Sequence, residues 1–95
     1  KSPTYTIVEP YVLDAMSVYH FDLYRLGDPE ELEYLGLRDY LEESALLLFE
    51  WPDRGGAYLP SADLLIELSP IDEGRHVELT ASTPRGLGVL AHLRL

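Results

Sequence analysis

The 95-residue chain has formal net charge −10, with 46% hydrophobic and 25% charged residues and no cysteine. This allows one small domain over residues 1–95 and excludes a disordered acidic tail, a disulfide framework, thiolate catalysis and cysteine-ligated zinc. Its seven Lys and Arg residues form no cluster, so direct nucleic-acid binding is not expected and a basic protein partner suits the surface better.

The chain opens Lys1-Ser2-Pro3-Thr4 without Met, as a processed piece or fragment does. β-Branched and aromatic residues predict an extended segment from Thr4 to about Val12, with Pro10 marking an edge or a bulge. Leu13-Asp14-Ala15-Met16 suits a turn. The run Ser17–Tyr24 then alternates, with Val18, His20, Asp22 and Tyr24 on one face and Tyr19, Phe21 and Leu23 on the other. The two segments together predict a hairpin.

Asp28-Pro29-Glu30-Glu31 reads as a helix start, with Asp28 as cap and Pro29 at the first helical position. Leu32 and Leu35 form its apolar stripe and Gly36 ends it. A second short helix is expected over Leu37–Glu43. Ala45-Leu46-Leu47-Leu48-Phe49-Glu50 is a short apolar run stopped by Trp51-Pro52, which predicts a strand buried on both faces at the middle of the sheet. Pro52–Gly56 follows as a flexible loop. Asp63–Ser69 and Arg75–Ser82 predict an antiparallel pair joined by a turn over Pro70–Gly74. Thr83-Pro84 reads as the cap of a final amphipathic helix carrying Leu87, Leu90, Ala91 and Leu95, although Gly86 and Gly88 weaken it.

Two carboxylates stand out. Glu50 ends an apolar strand and Asp22 lies near the end of another, so both are expected at one carboxyl edge of a sheet, within about 10 Å of each other. Paired acids at such an edge hold a metal ion, or one holds the ion while the other orients water; the simpler alternative is that each is only the polar end of a strand. His20 shares a face with Asp22, and a metal site from that pair needs a third ligand that the sequence does not provide. Trp51 either stacks on a base or fills the space beneath the Gly55-Gly56 loop. Ser2, Thr4 and Thr6 either contact a phosphate or Mg²⁺ or cap turns. No G-x-x-x-x-G-K-[ST] loop occurs in these residues,. No apolar run is long enough to span a bilayer, and the lack of cysteine fits a reducing, cytoplasmic setting.

Ser2-Pro3-Thr4-Tyr5-Thr6, Val18-Tyr19-His20-Phe21-Asp22-Leu23-Tyr24-Arg25, Asp28-Pro29-Glu30-Glu31-Leu32-Glu33 and Phe49-Glu50-Trp51-Pro52 together strongly resemble the TsaE (YjeE) family. These are small bacterial ATPases used in making threonylcarbamoyladenosine in tRNA. The likeness runs in register from Ser2 to about Leu79. It implies an α/β fold of the P-loop NTPase kind: a mixed sheet with a parallel core, antiparallel additions and flanking helices. It also implies ATP and Mg²⁺ as cofactors, TsaD and TsaB as partners, and hydrolysis that resets their complex after tRNA modification. Glu50 matches the Walker-B-like acid that binds Mg²⁺ directly or through water. Asp22 matches the acid that positions or activates the attacking water, and the two roles are interchangeable on sequence grounds. Ser2, Pro3, Thr4 and Tyr5 match a switch-like segment near the γ-phosphate, and Trp51 lies near the nucleotide. The family's Walker A loop and first core strand are expected before Ser2, so the chain resembles the C-terminal two-thirds of a member. Weak nucleotide binding is expected of these residues alone. A rival from another class is a non-catalytic acidic module that keeps the fold and docks a partner.

Overall fold

The computed structural model describes residues 7–93. The chain divides into two compact units, one ending at Leu59 and the other beginning at Pro60.

The first unit is built on a three-stranded sheet in the order β1 (Val8–Leu13), β2 (Met16–Asp22), β3 (Ala45–Glu50). β1 runs antiparallel to β2, while β3 runs parallel to β2. The sheet is therefore mixed, as the family resemblance implies. Pro10 lies on β1, which pairs only with β2 among the described residues, so its missing N–H costs no ladder bond on an outer edge,.

The β1–β2 connection is a two-residue turn. Leu13 pairs with Met16, and Asp14 and Ala15 both take positive φ, 50° and 67°. Two left-handed residues give the twist that matches antiparallel strands. Asp tolerates that conformation, whereas the Cβ of Ala is crowded in it.

A parallel pair needs a crossover, and here it carries two short helices, α1 (Glu31–Leu35) and α2 (Leu37–Leu41),. They pivot on Gly36, whose φ of 82° ends α1 and starts α2, its N–H bonding back to Glu33. Asp28 caps earlier than the sequence suggests. Its Oδ1 accepts the Glu30 N–H at 2.9 Å, and the turn it closes precedes the helix, which begins only at Glu31. Pro29 therefore sits in that turn rather than at the first helical position.

The core lies between the crossover and one face of the sheet. Phe21, Leu23, Leu26, Leu32 and Leu37 are buried together, with Tyr19, Leu35, Tyr40, Leu47 and Phe49 packed around them. Phe21 stacks on its parallel neighbour Phe49 at 4.6 Å and meets Tyr40 edge-on at 5.3 Å. The Tyr19 hydroxyl donates to Glu43 at 2.8 Å, and that bond, with partial burial, pushes the phenol pKa above its ordinary value.

β3 is neither buried on both faces nor at the middle of the sheet: among the described residues it is an outer strand, paired only with β2. Leu47 and Phe49 face the core, whereas Leu46 and Leu48 are 47% and 44% exposed. An apolar run marks a strand without revealing how many of its faces the rest of the chain covers, and here the helices lie on one. After β3 a 3-10 segment, Pro52–Tyr58, returns the chain to the core through Leu59.

The second unit is a long hairpin, β4 (Leu64–Ile71) and β5 (Gly74–Ala81), followed by α3 (Pro84–Ala91). Its turn is shorter than the sequence suggests. Ile71 pairs with Gly74, leaving only Asp72 and Glu73 between the strands, while Pro70 pairs with Arg75 inside the ladder. Thr83 caps α3 as expected, accepting the Gly86 N–H at 3.0 Å and donating to Asp63 at 2.6 Å. Gly86 has a packing reason: a Cβ there would overlap the Asp63 carbonyl. The helix stops at Ala91, and Leu95 lies outside the described residues. No helix among the described residues is long and apolar enough to cross a membrane.

The hairpin turn gives a direct stability test. Ala in the left-handed region costs roughly 1–2 kcal/mol, while Gly adds about 0.5–1 kcal/mol of unfolded-state entropy. Relief of strain is the larger, so Ala15→Gly is expected to stabilise the chain by about 0.5 kcal/mol and raise the melting temperature by a few degrees. A lower melting temperature, measured by circular dichroism, would contradict the turn geometry.

Candidate functional site

The carboxyl ends of β2 and β3 bring the chemistry together. Register pairs Asp22 with Glu50 directly across the parallel ladder. The backbone fixes both sides of Asp22: its own N–H bonds to the Ile7 carbonyl at 2.8 Å, and the Leu23 N–H bonds to the Glu50 carbonyl at 3.1 Å. Asp22 and Glu50 therefore share one edge of the sheet, and their side chains leave on the face opposite Phe21 and Phe49. Both are exposed.

Each carboxylate has its own local partner. The Asp22 Oδ1 accepts the Tyr24 N–H at 3.2 Å, a short turn in which the side chain closes on its own backbone,. Glu50 meets His20, whose Nε2 lies 3.2 Å from its Oε1. His20 is two residues before Asp22 and so lies on the same face, one step further inside the sheet. The sequence groups His20 with Asp22. The structure gives it to Glu50 instead, a contact visible only once the parallel register is known.

Trp51 follows Glu50 in a left-handed conformation, φ 58° and ψ 53°, which is unusual for a bulky residue,. The residue is 56% exposed and its indole leans on Tyr24 with centroids 5.1 Å apart, while the Arg54 guanidinium lies 5.2 Å above the Tyr24 ring. Trp51 does not fill the space beneath Gly55-Gly56. Gly55 is buried against Leu59 and Leu23. The result is an exposed aromatic and cationic corner beside the paired acids, with Tyr24 and Arg54 as members that the sequence did not single out. The left-handed backbone at Trp51 costs roughly 1–3 kcal/mol for a residue so placed. Ser2, Thr4 and Tyr5, the other residues expected near a nucleotide, lie outside the described residues.

The donor set limits which metal ions these residues could hold. Among the described residues no group of three or more His, Asp or Glu side chains converges on a point. Zinc in a structural or catalytic site takes at least three protein ligands. Magnesium takes one or two carboxylates and fills its remaining positions with waters and phosphate oxygens, which fits Asp22 and Glu50. His20 and Asp22 likewise lack the third ligand that a separate metal hydrolase would need.

The model of the family described as "Threonylcarbamoyl adenosine biosynthesis protein TsaE" matches residues 1–77. The Haemophilus influenzae protein named tRNA threonylcarbamoyladenosine biosynthesis protein TsaE is 47% identical over 91 residues, covering 96% of this chain and 58% of that protein. The Bacillus subtilis protein of the same name is 36% identical over 82 residues, covering 85% of this chain and 51% of that protein. The crystal structure of Bacillus subtilis YdiB superposes with a TM-score of 0.67 at 23% identity, covering 96% of this chain and 57% of that one, which establishes the shared fold. The chain thus spans little more than half the length of these two curated relatives.

The Asp22 turn separates two substitutions. Asn keeps the side-chain oxygen that accepts the Tyr24 N–H, so Asp22→Asn is expected to change stability by no more than about 0.5 kcal/mol, while Asp22→Ala loses about 1 kcal/mol. Thermal melts of the two variants check this; equal losses would mean that the turn bond contributes nothing.

Proposed function

The chain belongs to the TsaE family, and from that premise we propose that it serves tRNA threonylcarbamoyladenosine biosynthesis as an ATP-hydrolysing subunit acting with TsaD and TsaB in the cytoplasm. The observation that carries this reading is the register pair Asp22–Glu50 at the carboxyl edge of a parallel strand pair. In open α/β sheets this is the edge at which ligands bind.

Phosphoryl transfer asks a protein mainly for positioning and electrostatics. Magnesium, when bound, would supply positive charge that offsets the charge developing as the terminal phosphoryl group leaves. Glu50 would hold that ion, directly or through a water. Asp22 would orient the attacking water: its Oδ1 is occupied by the Tyr24 N–H, which aims the second oxygen away from the turn. The water attacks the γ-phosphorus, the bond to the ADP oxygen breaks, and the water's proton is taken by Asp22 or passed to the phosphate. Trp51, exposed and leaning on Tyr24, would lie near the nucleotide and offer it an aromatic face,. Ser2, Thr4 and Tyr5 are assigned to the γ-phosphate side.

The net charge of −10 favours a second reading, a non-catalytic acidic module that docks a basic partner,. The two readings differ in what Asp22 does. In the intact polypeptide, Asp22→Asn is expected to lower ATP turnover by roughly 10²-fold or more while Mg-ATP affinity changes far less. Steady-state ATPase assays with calorimetric binding decide between them. Near-normal turnover in the Asn variant would remove Asp22 from the chemistry and leave the docking reading.

A further inference from the structure

We propose that His20 is the positioning residue for Glu50, its imidazole Nε2–H holding the carboxylate at the end of β3 in the orientation that takes up a divalent cation; this rests on the reading of Glu50 as the magnesium ligand. A glutamate at an exposed strand end has three freely rotating torsions and must lose that freedom to bind an ion. The Glu50 side chain is 58% exposed, so packing does little to fix it. His20 is better anchored. It sits inside β2, paired with Glu9 on one side and Leu48 on the other, and its side chain is only 32% exposed.

The choice of partner is informative. Glu9 lies directly across the β1–β2 ladder from His20, yet the imidazole pairs with Glu50, with Nε2 at 3.2 Å from Oε1. Asp22 is served separately by the Tyr24 N–H. The two acids of the site thus have two different orienting groups, a backbone amide for Asp22 and an imidazole for Glu50. His20 approaches from inside the sheet and contacts one oxygen of Glu50, which leaves the other for a ligand. Carboxylates that bind metals are commonly held by such a neighbour, and removing it typically weakens metal binding by 10–100-fold.

The test uses the intact polypeptide and Mn²⁺ as the probe, with affinity read by electron paramagnetic resonance in the presence of ADP. His20→Leu is expected to weaken Mn²⁺ binding by about tenfold or more, whereas His20→Gln, which returns an N–H donor near the same point, stays within about threefold of the parent. Nitrogen-15 NMR of the metal-free protein supplies a readout independent of metal: in the unsubstituted chain the His20 proton is expected on Nε2, and in a folded Glu50→Ala variant that signal is expected to move. If Glu50→Ala abolishes Mn²⁺ binding and His20→Leu leaves it unchanged, the positioning role is overturned while the metal reading stands. If Glu50→Ala leaves Mn²⁺ binding unchanged, the metal reading falls and the proposal falls with it. A proton on Nδ1 that ignores Glu50→Ala overturns the proposal whatever the metal does.

Discussion

The parallel ladder between β2 and β3, running from Ser17–Ala45 to Asp22–Glu50, sets where everything else in the first unit goes. Its register puts Phe21 beside Phe49 on one face, where they stack at 4.6 Å under the crossover helices. The same register puts Asp22 beside Glu50 at its end and brings His20 within reach of Glu50 on the opposite face. Side chains alternate along a strand, so a slip of one residue would move the aromatic pair out of the core and the acids into it. Burial of Phe21 and Leu23 therefore protects the placement of the acids. The apolar face enforces the register, and the polar face uses it.

The edge of the sheet combines firm and strained elements. Backbone bonds from Asp22 to Ile7 and from Leu23 to Glu50 hold the strand ends in place. Immediately beyond them Trp51 turns left-handed and the chain enters the 3-10 segment. A trans-extended Trp51 would carry the chain straight on past the edge; the left-handed turn folds it back so that Leu59 reaches the core. An exposed indole beside two exposed carboxylates is a costly arrangement for stability alone, since it gives up burial of the largest apolar side chain available. Such local departures from the consistent fold are expected where a site is built.

Much of this was legible in the sequence because it depends on local rules. Asp14-Ala15 as a turn, Gly36 as a helix end, Thr83-Pro84 as a helix start and Glu50 as the end of an apolar strand follow from backbone preference and periodicity. The features missed depend on distant contacts. The run from Ala45 to Phe49 looks equally apolar whether one face or both are covered, so exposure of Leu46 and Leu48 could not be read from it. Asp28 carries a capping signal in either register, and only the turn over Pro29 shows that the helix begins at Glu31. Gly86 reads as a weakness in a helix, and its packing reason, the Asp63 carbonyl, comes from a residue more than twenty positions away. The pairing of His20 with Glu50 joins residues thirty positions apart, and the alternation that groups His20 with Asp22 carries no information about β3.

The claim on which the functional reading turns is that Asp22 and Glu50 serve one hydrated ion and one water. A crystal structure of the intact polypeptide with Mg²⁺ and a non-hydrolysable ATP analogue measures this directly. The expected result is a magnesium ion about 2.1 Å from a Glu50 oxygen, or from a water that Glu50 holds, with the Asp22 carboxylate in hydrogen-bond reach of a water in line with the γ-phosphate. A magnesium ion and triphosphate bound elsewhere, with both carboxylates more than about 10 Å from the γ-phosphate, would contradict it, since a group must lie within hydrogen-bond reach of the reacting water to act on it.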